Sequence, residues 1–236
     1  TKSCLSAAQA LRNNAKIELP KSNGKVGESL LKYDALRLAS GEAPYVADLK
    51  FTGMVHGALK FSEHPRAKIL NIDISNAEKL EGVLRVFTAE DIPGDRSTGL
   101  IVPDWPLMLK RGELTRYMGD VLAGVVAKTE KIAREAVTLI KVEYEVLEPV
   151  TDPFEALAAD CPQIHESGNL LSNLEIKRGD NKQTEKESAF VTKGNYKTQR
   201  IEHAFLEIEC CLAKPLGDGV EVFSQSQGVY EDRNSI

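Results

Sequence analysis

The chain reads as α+β, with mixed α/β periodicity. From Val26 to about Pro149 the hydrophobic repeat switches between 2 and 3.6. VLAGVVA (121–127) is apolar on both faces, as a covered central strand should be. A ten-residue amphipathic helix, Glu130 to about Leu139, runs directly into an alternating strand with Ile140, Val142, Tyr144 and Val146 on its inner side.

The remaining elements follow in order. Leu5, Ala8 and Leu11 predict a short helix that Asn13–Asn14 stops, and PKSNGK (20–25) has the composition of a linker. Residues 51–61 (FTGMVHGALKF) predict a long strand with bends at its glycines. In KILNIDI (68–74), Leu70, Ile72 and Ile74 share a face. Ser75 and Glu78 have capping-box spacing for a short helix that Gly82 ends, and VLRVF (83–87) is a further strand. Asp152–Pro153–Phe154–Glu155 starts a helix that ends near Asp160. Residues 166–185 are polar, and KQTEKES (182–188) is a solvated helix face or loop. Strands are predicted at 202–213 and 219–225, around a Pro-Leu-Gly-Asp-Gly turn. A domain boundary is placed between about 150 and 165, and no internal repeat is visible.

With 236 residues, 42% hydrophobic and 28% charged, the chain can build a core of one large domain or two modest ones. Thirty basic against thirty-five acidic residues, with no basic block, argue against nucleic acid or an anionic membrane surface as a partner. No apolar run approaches a membrane span. Four cysteines without C-x-x-C spacing fit a reducing, cytoplasmic compartment. The chain opens at Thr1 without methionine and stops at Ile236 without a closing turn, so a piece of a longer polypeptide is expected.

No phosphate loop, dinucleotide fingerprint, H-E-x-x-H or nucleophile elbow is present. His56, His64, His165 and His203 are dispersed without ligand spacing. His56 reads as a hydrogen-bonded structural histidine and His64, before Pro65, as solvent-facing. Cys210–Cys211 reads as two buried thiols on opposite faces of a strand, and Arg178–Gly179–Asp180 as a turn. Trp105, the single tryptophan, lies in the proline-flanked IVPDWPLM (101–108). It fills local core or, alternatively, lines a binding site or packs on another domain. The residues alone predict an α/β protein with no autonomous active site: no catalytic residue and no metal ligand.

The order of three segments carries more. Residues 26–48, then 54–94 (MVHGALKF…DIPG, with His64–Pro65–Arg66 in the loop), then 116–158 (RYMGDVLAGVVAKTEKIAREAV…FEALA), resemble the large molybdenum-binding subunit of the xanthine dehydrogenase and aldehyde oxidase family. The last two are similar to its α/β hammerhead domain. Beyond them, Asn173, Gly179–Asp180, EHAFLE (202–207) and VEVFSQSQGVYEDR (220–233) resemble the opening of its molybdopterin-binding domain. The resemblance implies a linker at 1–25, a hammerhead domain at 26–160 and the first part of a molybdopterin-binding domain at 161–236.

It further implies that Gln227 approaches the molybdenum cofactor as an uncharged amide donor, with Gln225 as the register alternative. Glu202 and His203 read as structural supports of the sheet. The whole enzyme would hydroxylate a purine, another N-heterocycle or an aldehyde, with oxygen from water. Electrons would pass through [2Fe-2S] clusters on other domains or subunits to FAD or another carrier. The implied partners are an iron–sulfur domain or subunit, the remaining molybdenum domain and a small-molecule substrate, with the hammerhead as scaffold. The family's glycine-rich loop, substrate-binding arginine and catalytic glutamate have no counterpart here, so the chain alone is expected to be inactive. The alternatives are a non-enzymatic interaction module of hammerhead fold, or a member of the class acting on CO or an aromatic thioester.

Overall fold

The computed structural model describes residues 24–28, 30 and 32–236. The expected helix near Leu5–Leu11 lies outside them. The described residues form two compact units: Thr52–Arg200, and those before Thr52 together with Ile201–Asn234.

The Thr52–Arg200 unit is built on strand β6. In chain order its elements are β1 (His56–Phe61), β2 (Ala67–Asp73), α2 (Ser75–Glu78), β3 (Val83–Phe87), β4 (Ser97–Thr98), β5 (Trp105–Pro106), β6 (Val121–Ala127), α3 (Glu130–Leu139), β7 (Lys141–Val146) and α4 (Asn181–Glu187). Helix α1 (Ala35–Ser40), which the sequence reading missed, precedes them in the other unit. β6 is central in an antiparallel sheet of order β1-β6-β3, and β2 pairs antiparallel with β7.

A strand flanked on both sides and covered above needs apolar residues on both faces, and Leu122, Ala123, Val125 and Ala127 of β6 are at most 1% exposed. Helix α3 lays its stripe on this sheet. Ala133 and Ala136 are fully buried, so the helix backbone can approach closely, and Ala123, Val125, Val86, Ala77 and Ile140 complete the core. The Thr129 side chain caps α3 by accepting from Ile132 N at 3.3 Å.

Three local expectations are corrected. β1 begins at His56 rather than 51, because Gly53 takes φ +77° and turns the chain. In β2 a bulge between Ile69 and Asn71 shifts the alternation by one. Ala67 and Ile69 are fully buried while Leu70 is 41% exposed, and the inward set resumes at Ile72 and Ile74. The capping box at Ser75 does not form; Ser75 N donates to Asp73 Oδ1 at 3.0 Å instead. Gly82 does serve as a left-handed turn residue (φ +91°), packed against Ile132.

Asp152 caps as expected, its Oδ1 accepting from Phe154 N and Glu155 N at 2.7 and 3.1 Å. Only a single 3-10 turn, Glu155–Leu157, follows in place of a helix to Asp160. KQTEKES proves helical, as the exposed α4 capped by Asp180. Gly179 at φ +73° makes Arg178–Gly179–Asp180 a turn.

In the other unit, α1 and a 3-10 turn (Val46–Asp48) are joined by the hairpin β8 (Cys211–Leu216) and β9 (Gly219–Ser224), then α5 (Val229–Ser235). Gly217, at φ +61°, makes the hairpin turn and sets Cys211 opposite Ser224. Phe51 packs on Phe223 with centroids 6.3 Å apart, and Lys214 lies over both rings. The expected strand 202–213 is shortened to Cys211 onward, since β9 offers only six pairing residues. Cys210 therefore precedes the strand, and Cys211 is exposed rather than buried. No helix among the described residues is long and apolar enough to cross a membrane.

Candidate functional site

Gln227 lies in the link between β9 and α5, where the strand's alternation ends and the chain bends before Gly228. The link is stapled at several points. Ser224 Oγ donates to Asp232 Oδ2 at 2.7 Å, and Gly228 N donates to Ser226 Oγ at 3.0 Å. Hydrogen bonds from Ser224 and Ser226 hold the Asp232 carboxyl below its usual range.

Between these staples the two glutamines differ. Gln225 is tied down: its Nε2 donates to Ile208 O at 2.7 Å, and its Oε1 is buried without a partner. Gln227 is exposed, and its amide enters none of the hydrogen bonds that fix the link. A ligand that needs a neutral N–H donor would find both N–H groups of Gln227 uncommitted, whereas Gln225 already spends one of its two on Ile208 O. The residues present thus fit an oxygen-bearing group that requires a donor without added charge. Glu202 and His203 are exposed and lie upstream of β8, outside the sheet they were expected to support. Among the described residues no cluster of three or more His, Cys, Asp or Glu could hold a metal ion.

Chemistry-bearing side chains also gather in the Thr52–Arg200 unit, around Trp105. His165 Nδ1 is 2.6 Å from Asp104 Oδ2, and each side chain is 30% exposed. The Trp105 ring contacts Tyr117 (centroids 5.2 Å), His165 (5.8 Å) and the Arg116 guanidinium (5.7 Å). Arg116 Nη1 in turn donates to Asp104 O at 2.5 Å. Trp105 packs locally, and the neighbouring cavity of about 360 Å³ is lined by Asp104 and His165, with Leu100, Ile101, Val102 and Leu171, rather than by Trp105 itself.

Behind this cluster, Asp120 is 2% exposed at the start of β6. Its Oδ2 accepts from Arg116 N at 2.5 Å and Tyr117 N at 3.2 Å, while Oδ1 is buried without a partner. Burial raises its pKa above the usual carboxylate value, against the pull of those two amides and the Arg116 charge. Burial, then the Asp120 charge, also raises the Tyr117 phenol.

His64 departs from expectation. It is half-buried, edge-on to Tyr144 at 4.9 Å, and its carbonyl accepts from buried Ser62 and Thr115. Asp104, Asp120 and Thr115 were not singled out from the sequence. The Asp104–His165 pair spans 61 positions, and no local pattern signals it.

Comparison with known proteins agrees with this arrangement. The family model for the aldehyde oxidase and xanthine dehydrogenase a/b hammerhead domain matches residues 40–148, and that for the molybdopterin cofactor-binding domain matches 164–236. The chain is 36% identical over 206 residues to a probable xanthine dehydrogenase subunit of Bacillus subtilis, covering 87% of this chain and 27% of that protein. It is 30% identical over 212 residues to the nicotinate dehydrogenase large molybdopterin subunit of Eubacterium barkeri, covering 89% and 49%. The crystal structure of the aldehyde oxidoreductase from Desulfovibrio desulfuricans aligns with a TM-score of 0.55 at 30% identity, over 68% of this chain and 19% of that one. The chain thus spans between about a quarter and a half of these curated relatives. With both modules matched in the order their elements stand in the structure, the chain belongs to the xanthine dehydrogenase and aldehyde oxidase family of molybdenum hydroxylases, as part of the large molybdenum-binding subunit.

Proposed function

We propose that this chain is part of a molybdenum-dependent oxidoreductase that hydroxylates a carbon of a purine or other N-heterocycle, or of an aldehyde, with oxygen from water. The names of the relatives, which act on xanthine and nicotinate, and of the aldehyde oxidoreductase support that substrate range. The observation that carries the reading is the exposed, uncommitted amide of Gln227 at the end of β9, inside the stretch matched by the cofactor-binding model.

The domains divide at 26–160 and 161–236, the first as scaffold and the second as one edge of the active site. Molybdopterin-bound molybdenum supplies the two-electron oxidation when bound. Gln227 would hold an oxygen of that group by donating from Nε2, and being neutral it would neither compete as an anionic ligand nor change the charge at the centre. Ser224, Ser226 and Gln225 hold the link on either side of Gln227 and leave its amide exposed, and none of them moves a proton. The general base and the groups that orient substrate belong to other parts of the enzyme, as do [2Fe-2S] clusters and FAD. Partners are accordingly an iron–sulfur domain or subunit and the rest of the molybdenum domain, in the cytoplasm.

The test is turnover of xanthine, nicotinate and an aromatic aldehyde by the whole enzyme in ¹⁸O-labelled water. Label in the hydroxylated product is expected, with Q227A slowing kcat by about 10- to 100-fold, the usual range for an outer partner of a metal site. Product without label, or a Q227A enzyme as fast as wild type with Q225A slow, overturns the assignment.

A further inference from the structure

The two matched modules and the two compact units do not divide the chain at the same place. His165 and Asn169 fall in the stretch matched by the cofactor-binding model, yet both belong to the Thr52–Arg200 unit with the hammerhead strands. Residues 150–200 add little regular structure to that unit: one 3-10 turn and the exposed α4. Among the described residues, the His165–Asp104 contact is the only hydrogen bond or ion pair that joins residues 150–200 to the body formed by 52–148.

Both partners of that contact are held independently. Asn169 closes the loop carrying His165, its Oδ1 accepting from Ile164 N at 2.8 Å and its Nδ2 donating to Ala156 O and Pro162 O at 2.9 and 3.0 Å. Gly168 N adds a bond to His165 O at 2.9 Å. On the other side, Asp104 N donates to Val102 O at 2.9 Å and Asp104 O accepts from Arg116. Arg116 N is fixed by buried Asp120 at the root of β6. Two preformed loops therefore meet through one imidazole, with the Trp105 ring against it. Little loop entropy remains to be lost when the bond forms, a condition that favours a single half-sheltered, charge-assisted hydrogen bond.

We propose that His165 and Asp104 form a clasp that pins the first residues of the stretch matched by the cofactor-binding model onto the hammerhead body, with His165 as the positioning residue. The clasp sets where the chain departs toward the rest of the cofactor-binding segment. Without it, residues 161–171 keep their internal closure by Asn169 but lose their fixed seat beside Trp105.

The full chain tests this by hydrogen exchange, read on peptides covering 161–171 and, as an internal control, on β6. Asn at position 165 carries an amide nitrogen near the place of Nδ1, so H165N keeps the donor while H165A removes it. For one charge-assisted bond that is partly open to water, H165A and D104A should each speed exchange in 161–171 roughly tenfold. H165N should stay near wild type, β6 should be unchanged in all three, and D104A/H165A should be no faster than either single variant. Trp105 emission should change with H165A, because the ring loses its neighbour. The clasp is overturned if H165A exchanges within twofold of wild type, if H165N is as fast as H165A, or if β6 loses protection along with residues 161–171, which would make His165 an ordinary part of the core.

Discussion

Replacing Asp120 separates two opposing effects that its position brings together. The carboxylate is 2% exposed with one oxygen unpartnered, so ionising it costs free energy, but its other oxygen satisfies two backbone amides. D120N and D120A both remove the charge, and only D120N keeps an acceptor for Arg116 N and Tyr117 N. The difference between the two variants therefore isolates the accepted bonds. A buried unsatisfied donor costs about 1–3 kcal/mol. Arg116 is half-buried and Tyr117 exposed, so water can reach part of this turn, and the D120A–D120N gap should be about 2 kcal/mol.

The pH dependence has a fixed sign. Because burial raises the folded pKa above the unfolded value, the folded state holds the proton more tightly. Stability from this group is complete below the unfolded carboxylate pKa and is lost as pH rises through the raised folded value. Wild type should thus lose stability relative to D120N over that rise, and D120N should equal or exceed it near neutrality. Urea denaturation followed by Trp105, the single tryptophan and a resident of the same unit, measures both. A D120N variant that is less stable than D120A, or a wild type that gains on D120N as pH rises, would refute the reasoning.

Two further substitutions probe the same unit by the same assay. Thr115 is 1% exposed, and its Oγ1 accepts from Ala67 N at 2.8 Å and donates to His64 O at 2.9 Å, so near-isosteric T115V should cost about 2 kcal/mol; a neutral T115V would show that the Ala67 amide finds another acceptor. At Gly82, φ is +91° and an added Cβ would sit 2.8 Å from Ile132 Cδ1, so G82A should cost about 1–3 kcal/mol, and an unchanged midpoint would mean that the turn relaxes.

What could be read from the sequence was whatever a continuous local pattern encodes. β6 and α3 stand at the residues expected because an unbroken apolar run and a helical stripe each admit one reading. β2 was placed correctly along the chain, but its inward face was misassigned, because a bulge has no signature in an apolar run where Ile69 and Leu70 are adjacent. β8 was started too early because 202–210 alternates well enough for a strand. Pairing needs a partner, and the short turn at Gly217 fixes how far β9 reaches.

The candidate site also divides. Gln227 was reached only through the family resemblance of VEVFSQSQGVYEDR (220–233); its residue type and place at a strand end carry no such signal. Asp104 with His165, and Asp120 with its two amides, depend on loops that meet only after folding, and carboxylates in loops ordinarily read as solvated.

The central claim is that this chain supplies one edge of a molybdenum site completed by other parts of a larger enzyme. Molybdenum content, measured by inductively coupled plasma mass spectrometry on the purified 236-residue chain and on the whole enzyme, addresses it most directly. The account predicts about one molybdenum per large subunit in the whole enzyme and essentially none retained by the 236-residue chain. Stoichiometric molybdenum in the isolated chain, or a whole enzyme that turns over without molybdenum, would contradict it.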